Sequence, residues 1–510
     1  MSSSDLSTPI SVGRRPLQAG SASEAAIHIG LAFVLLGIAV ASFLVSTVFG
    51  VAVSFVLTLG LALTMPSAMP LVIVCSFMFQ NMVIASFTPL VASDEAFDTL
   101  RGINFVILMT TYGAFLLATF QQRLRHISQL RPWLLVGLAL IGVIGFYFAL
   151  GALSGNPRDA LVYFRNTITP LACFHIAFVA ASLYRIDLER SLLWLGIGAI
   201  LYGYCELTFT MDFLSLFSGD EYIKRQLVRQ VETGVWEKAL KETGFVLRNL
   251  QDTMMTTFFN TPLFGDLFPK VFRIGGPNFH PIAYAYALTI LSIWLLFNGR
   301  WVLPLLAMPL LLVIGSKGAM AMLLFALVTK FAVRVIPPAA ATVLFLLLTA
   351  AWIGAALVVG TAGADYHVLG FYAGISGFLR GPLGQGLGIG GNLSSATDLQ
   401  LDWGLSQASG IATVPVESAV GVMLYQMGIG GFAFFAFLAA LAITCRRLYL
   451  QTGNQGFLFG FVTVSSISAN AVLQEEAFYS PLALGLCLLL VGLVLGSHWR
   501  QKTTWRPRSS

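Results

Sequence analysis

Residues 365–392 read DYHVLGFYAGISGFLRGPLGQGLGIGGN, and after a polar run the chain resumes at 414–432 as VPVESAVGVMLYQMGIGGF. Nearly all of the sequence around this stretch is apolar enough to sit in lipid. Here it breaks into a long segment with a histidine, an arginine, a dense glycine cluster and a glutamate where apolar sequence returns. That contrast decides the fold. If the flanking runs cross a bilayer, this stretch is an extramembrane surface that they hold in place.

Composition says that they do. The chain has 510 residues, of which 57% are hydrophobic and 10% charged, with a mean hydropathy of +0.82. A soluble chain carries roughly 25% charged residues, and apolar runs of about 20 residues, the length that spans a hydrocarbon core, recur here. We therefore expect an all-α polytopic membrane protein. Its single transmembrane domain covers 26–497, between cytoplasmic tails at 1–25 and 498–510. The formal charge of +6 is not gathered into a basic patch with interleaved aromatics, which argues against nucleic acid as a partner. Cys75, Cys173, Cys205, Cys445 and Cys487 all lie in apolar runs without paired spacing, so neither a disulfide framework nor a zinc site is expected. No metal or cofactor is called for. The N-terminal MSSSDLSTPISVGRRPLQAG is too long and polar for a cleavable signal, so the first apolar run is expected to remain as a helix.

Along the chain, Ala26 to Thr64 is long enough for two helices turning near Gly50, and Pro66 and Pro70 punctuate the segment after it. A third helix runs to about Leu90, a fourth to Gln121, a fifth over Pro132–Leu153, a sixth over Thr167–Tyr184 and a seventh over Leu192–Phe209. In the next, polar insertion, Ile223, Leu227, Val231 and Val235 recur at every fourth position, the pattern of an amphipathic helix on the membrane surface. An eighth helix spans Pro281–Phe297, two short helices flank Ser316–Lys317, and an eleventh covers Pro338–Gly360. The twelfth opens at Glu417 and ends at Arg446–Arg447, the thirteenth ends at Gln474–Glu476, and the fourteenth precedes His498. With about fourteen spans and a cytoplasmic N-terminus, the arginine-rich short loops all fall inside. The two long loops, 212–277 and 361–417, then fall on the opposite face. No internal repeat is present, which weighs against a transporter built from repeated halves.

Each polar group on that face has two readings. Glu417 is either an acid favoured by the dipole of a helix N-terminus, or a border carboxylate whose pKa burial raises towards that of a general base. Lys317 either snorkels to the headgroups or meets a phosphate. Arg165 and Arg273 each lead towards a helix with an early proline, and Arg380 is a fourth cation on the same side. One interfacial arginine is ordinarily a lipid anchor; four cations together point to an anionic, phosphate-bearing substrate. The glycines at 384, 386, 388, 390 and 391 form a bend or let the backbone approach a ligand, and they lack the Lys-Ser/Thr ending of a nucleotide-binding loop. His280 and His367 are either hydrogen-bonded structural groups or functional ones. Glu475 and Glu476 either bind hydroxyls or end a helix.

Taken together, four motifs resemble the O-antigen ligase and Wzy-type polysaccharide polymerase superfamily. Glu417, ten residues, then Gly428-Ile-Gly-Gly resembles that family's loop-to-helix motif, with glutamate where the ligases carry histidine. RIGGPNFHPIAYAYAL (273–288) resembles its Arg-x-x-Gly segment, GSKGAMAM (315–322) its Ser-Arg-Gly-Ala with lysine for arginine, and PLGQGLGIGGN (382–392) its Pro-Leu-x-Gly-x-Gly stretch. The resemblance implies a metal-independent, GT-C-like glycosyltransferase of the bacterial inner membrane. Its partner would be an undecaprenyl-pyrophosphate-linked glycan at the periplasmic face of the lipid bilayer, alongside other polysaccharide export and chain-length proteins. The polymerase branch fits Glu417 better than the ligase branch, which remains the alternative. The resemblance implies Glu417 as base and Arg273, Lys317, Arg380 and Arg165 as holders of pyrophosphate. His280, Asp365 and His367 would then orient the acceptor. Rivals of another class are a lipid-linked oligosaccharide transporter and an export scaffold.

Overall fold

Apolar runs become helices because no other structure satisfies every backbone polar group inside one segment in lipid. The computed structural model describes residues 22–120, 130–232, 250–260, 268–395 and 402–504. In chain order it contains α1 (Ala22–Phe43), α2 (Thr47–Thr64), α3 (Met69–Phe87), α4 (Asp94–Leu100), α5 (Ile103–Phe120), α6 (Leu130–Ser154), α7 (Pro157–Leu183) and α8 (Glu189–Ser215). The surface helix α9 (Gly219–Glu232) and a two-residue hairpin, β1 (Met255–Thr256) with β2 (Val271–Phe272), come next. Then come α10 (Pro281–Phe297), α11 (Val302–Ile314), α12 (Lys317–Val335), α13 (Pro338–Ala362), α14 (Tyr366–Arg380) and α15 (Trp403–Ser409). The chain closes with α16 (Ala419–Met427), α17 (Ile429–Thr452), α18 (Gln455–Asn470), the short α19 (Glu476–Tyr479) and α20 (Leu486–Thr504). The protein is a helical, multi-pass membrane protein.

Among the described residues, 11 helical segments are long and apolar enough to cross a membrane. Helices α10, α11 and α18, with 17, 13 and 16 residues, are shorter. At 1.5 Å per residue α11 is only about 20 Å long, against about 30 Å of hydrocarbon. Burial divides the bundle into a centre and a rim. Of the apolar window of α7, 94% is buried; in α13 only 17% is, leaving its Val343, Leu346, Leu347 and Val358 for lipid. α7 packs most extensively on α20, where Gly492 and Gly496 repeat at the four-residue spacing that lets helix backbones touch. A Cβ at Gly492 would stand 2.6 Å from Phe174 O, and one at Gly496 would collide with Phe178 O.

Side-chain contacts give the bundle two unlike ends. One is arginine-rich: Arg300 pairs with Glu189 at 3.4 Å, Arg446 Nε donates to Thr342 Oγ1 at 3.0 Å, and Arg500 Nε donates to Ala181 O at 3.2 Å. The other gathers 88–103, 154–159, 216–232, 268–280, 315–317, 363–395, 402–418 and 471–480. It carries most of the described acidic side chains, among them Asp98, Asp159, Glu417 and Glu475.

Several boundaries differ from the sequence reading. The first turn is Leu44–Ser46 rather than Gly50, because Ser46 caps α2 by accepting the Phe49 N–H at 3.1 Å. The sixth helix begins at Pro157, not Thr167, because Asn156 caps it and Pro at the first position needs no N–H partner, so Arg165 lies within a helix. Ser316–Lys317 is flanked by one short helix and one of 19 residues. The apolar run of the twelfth helix is cut at Gly428 (φ +48), and Ser418, not Glu417, caps its first half. The last helix extends beyond His498 to Thr504. Val235 and residues 1–21 lie outside the described residues; Ile223 is buried and Leu227 half-buried, as an amphipathic α9 requires.

Candidate functional site

The stretch 365–391 forms a helix–turn–return unit on α16. α14 runs beside α16 in the same direction: Gly370 lies against Val416, Gly374 against Gly421 and Gly377 against the Tyr425 ring. The chain turns at Gly381–Gly384, and Ile429 N–H donates to Pro382 O at 2.8 Å. It then returns extended, with Gly386 N–H on Gln426 O at 2.9 Å and Gly391 N–H on Pro415 O at 2.9 Å. Gly384, Gly386, Gly388, Gly390 and Gly391 all have positive φ. A Cβ would collide with the α6 backbone at Gly386, the α7 backbone at Gly388 and the Tyr163 hydroxyl at Gly391. The glycines thus serve close packing of the protein on itself.

This return segment delivers Asn392 to the polar end. Asn392 N–H donates to Glu475 Oε2 at 2.9 Å, and Asn392 Oδ1 accepts the Glu417 N–H at 3.3 Å. The other oxygen of Glu475 accepts the Tyr163 hydroxyl, which in turn accepts the Leu393 N–H at 3.1 Å. Asp159 Oδ2 accepts from Ser395 N–H and Ser395 Oγ at 2.9 Å each and from Ser394 Oγ at 3.2 Å. Glu417 itself sits at φ +60, a conformation unusual for a residue with a Cβ.

Around Glu417 the other predicted residues divide. His367 Nδ1 lies 3.6 Å from Glu417 Oε2, too far for a hydrogen bond. Asp365 caps α14 by accepting the His367 N–H at 2.9 Å. Arg273 Nε donates to Ile314 O at 3.3 Å, and the carboxyl groups acting on its guanidinium are those of Glu476 and Glu417. Lys317, the exposed first residue of α12, acts on His367. His280 caps α10, its Nδ1 accepting the Ala283 N–H at 3.3 Å. Arg165 is not in this group, and Arg380 is exposed at the far end of α14, its Nε on Ser376 O at 3.3 Å.

Burial sets the protonation of this cluster. It pushes the Glu417 carboxyl up to about 7; the nearby Glu476 charge adds to the rise, and Asn392 and Arg273 oppose it. Burial likewise raises Glu475 to about 8. Burial lowers His367 and His280 below the ordinary imidazole value, so both are neutral at pH 7. His280, though surrounded by protein, is open to a cavity.

That cavity, of about 1090 Å³, adjoins the cluster at Glu476. It is lined by amides (Gln80, Asn81, Asn104, Asn278 and others), by Arg101, Arg158 and Arg165, and by carboxylates including Asp98, Asp159 and Glu475. Asn278 Oδ1 and Glu476 Oε2 are buried here without a hydrogen-bond partner among the described residues. The loop bearing Arg273 and Asn278 is fixed by the buried Glu206 of α8, which accepts both Gly275 N–H and Gly276 N–H at 2.8 Å. Sequence reasoning missed Arg101, Arg158, Asp159 and Glu206. The first two sit among short polar connections with no motif of their own, and Glu206 lies in an apolar run whose partners are 69 and 70 residues away.

No family model, curated protein or solved structure matches the chain.

Proposed function

We propose that this protein is a membrane glycosyltransferase that joins lipid-linked oligosaccharides, with Glu417 as general base. One observation carries the reading. A strained carboxyl with a pKa near 7 stands beside Arg273 and a neutral His367, at the end of the bundle opposite the arginine-rich one, next to a large amide-lined cavity. A base poised near the working pH suits proton removal from a hydroxyl. The arginine-rich end is cytoplasmic by the positive-inside rule, so the site faces the periplasm. On this reading α10, α11 and α18 also cross, making fourteen spans of GT-C-like architecture.

The chemistry follows from these groups. An acceptor hydroxyl gives its proton to Glu417 as its oxygen attacks the anomeric carbon of the donor. The bond from that carbon to the undecaprenyl pyrophosphate breaks, and the electron pair leaves on the phosphate oxygen. On this reading Arg273 and Lys317 hold that leaving charge. Asp365 and His367 orient the acceptor. Lysine at 317 gives a point charge in place of a fork. The concentration of polar groups at one end, away from the mid-membrane, favours an enzyme over a transporter. Export and chain-length proteins of the same inner membrane are the expected partners. Transfer to a lipid or protein acceptor, as in a ligase, uses the same groups.

The test is a deletion strain complemented with wild type or Glu417→Gln, with polysaccharide and lipid-linked oligosaccharides extracted in parallel. Single lipid-linked units on the outer leaflet without polymer support the proposal. Units retained on the inner leaflet indicate a flippase, and normal polymer from Glu417→Gln removes the base.

A further inference from the structure

Within the cavity, most charges are already committed. Asp98 Oδ2 accepts from Arg158 Nη2 at 2.7 Å, and its Oδ1 lies 3.7 Å from Arg101 Nη1. Asp159 is occupied by Ser394 and Ser395, and Glu475 by Tyr163 and Asn392. Arg165 is different. Its Nε reaches only Asn166 Oδ1, at 3.5 Å, and it has no carboxylate within 4.0 Å among the described residues. Its nearest charged influence is another cation, Arg101. Both line the cavity, and Arg165 Nη1 lies close to Gly102, the residue after Arg101, since a Cβ there would meet it at 3.8 Å. Arg101 has Asp98 beside it at 3.7 Å, but Arg165 has no such partner among the described residues, so the pair brings positive charge to the cavity that an anion would offset. The same cavity is lined by side-chain amides, Gln80, Asn81, Asn104 and Asn166 among them, groups that hydrogen-bond hydroxyls.

We propose that Arg101 and Arg165 form a binding site for one oxyanion, a phosphate or a carboxylate, borne on a hydroxyl-rich substrate that occupies this amide-lined cavity. This site takes Arg165 away from the Arg273 group. It makes the protein selective for a glycan carrying an acidic group at this position. The choice of a glycan as occupant rests on the transferase reading; the requirement for an anion does not.

The full-length protein, purified in detergent, is titrated with inorganic pyrophosphate, with digalacturonate and with a neutral disaccharide, binding being followed by thermal-shift and calorimetric titration. Saturable binding of pyrophosphate identifies phosphate as the recognised group, and binding of digalacturonate at least roughly tenfold tighter than the neutral sugar identifies carboxylate. In either case Arg101→Gln and Arg165→Gln each weaken it by about tenfold or more, the scale of a lost charge-assisted hydrogen bond. Arg380→Gln leaves it unchanged. Arg165→Lys, which keeps the charge, retains more of the binding than Arg165→Gln and covers the case in which the glutamine variant fails to fold. Absence of saturable anion binding, or binding indifferent to Arg101→Gln and Arg165→Gln, overturns the site. Arginine-dependent binding together with normal polymer from Glu417→Gln leaves the site standing and removes only the transferase reading.

Discussion

The side chain of Asn392 accepts the main-chain N–H of Glu417 at 3.3 Å, while its own main-chain N–H donates to Glu475 at 2.9 Å. One residue thus ties the strained turn before α16 to the turn before α19. The tie exists because five positive-φ glycines let the preceding segment lie flat against α6, α7 and α16. Glycine packing along this segment is what places the carboxyl.

Asn392→Ala removes the side-chain half of this tie and leaves the main-chain bond to Glu475. Asn392 lowers the Glu417 pKa, so its loss moves that pKa further up. The expected outcome is a fall in transfer rate of about tenfold at pH 7 and an alkaline shift of the pH–rate curve. An unshifted curve in an in vitro polymerisation assay would show that Asn392 does not act through Glu417.

The backbone at Glu417 gives a second, opposed pair of effects. A left-handed non-glycine residue costs of order 1–3 kcal/mol, and glycine relieves this. Glu417→Gly is therefore expected to abolish transfer while unfolding at a temperature equal to or above wild type. A variant that is both inactive and markedly less stable would mean the carboxyl holds the fold.

How far was this visible beforehand? Long apolar runs made the helices plain, and the proline and glycine punctuation placed most ends within a few residues. The errors came where a local cap outweighed hydropathy. Asn156 and Pro157 start α7 ten residues before its apolar run, and Gly428 splits a run that reads as continuous. That Glu417, Arg273 and His367 share one end of the bundle was legible because each interrupts apolar sequence close to a helix start. Glu206 and Tyr163 were not, since each is a single polar residue in a helix and its partner lies 69 or 312 residues away. Arg380 was grouped with the other cations by side of the membrane alone, and the direction of α14 carries it off.

Gly386→Ala, Gly388→Ala and Gly391→Ala each impose a Cβ on neighbouring protein atoms at a positive φ. Each is expected to destabilise by roughly 1–3 kcal/mol or more, with lower melting temperatures in detergent. Gly453→Ala is the control. It too has positive φ (+68), but its Cβ would meet nothing within 4 Å, so it carries the strain without the collision. Equal losses at all four positions would show that backbone strain, not packing, is the cost.

The pH dependence follows from Glu417. Its folded value of about 7 lies above the ordinary 4.5, so between these values the folded state holds more protons than the unfolded one. Stability attributable to this group is therefore present at low pH and declines as pH rises from about 4.5 through 7. Activity runs the other way, because the base must be ionised. The rate should rise roughly tenfold per pH unit below about 7 and level off above it. In Glu417→Gln both slopes should flatten. A wild-type rate independent of pH from about 5 to about 8 would contradict a titrating base.

Arg273 and Arg380 provide the last comparison, since both are arginines on the same side of the chain's expected topology. Arg273 is half-buried, tied to Ile314 O, and under the influence of the Glu476 and Glu417 carboxyls; Arg380 is exposed with one backbone contact to its own helix. An exposed interfacial arginine contributes little beyond anchoring, whereas a desolvated one beside a carboxyl both lowers that carboxyl's pKa and can meet a leaving phosphate. Arg273→Ala is expected to abolish polymer formation with the protein still inserted, and Arg380→Ala to leave it within about twofold of wild type. Arg273→Lys should recover part of the activity, since it keeps the charge and loses the fork. Immunoblots of membranes beside the polysaccharide assay separate loss of insertion from loss of transfer. If Arg380→Ala abolishes polymer and Arg273→Ala does not, the leaving group is held at the far end of α14, and Glu417 stands too far from it to serve as the base.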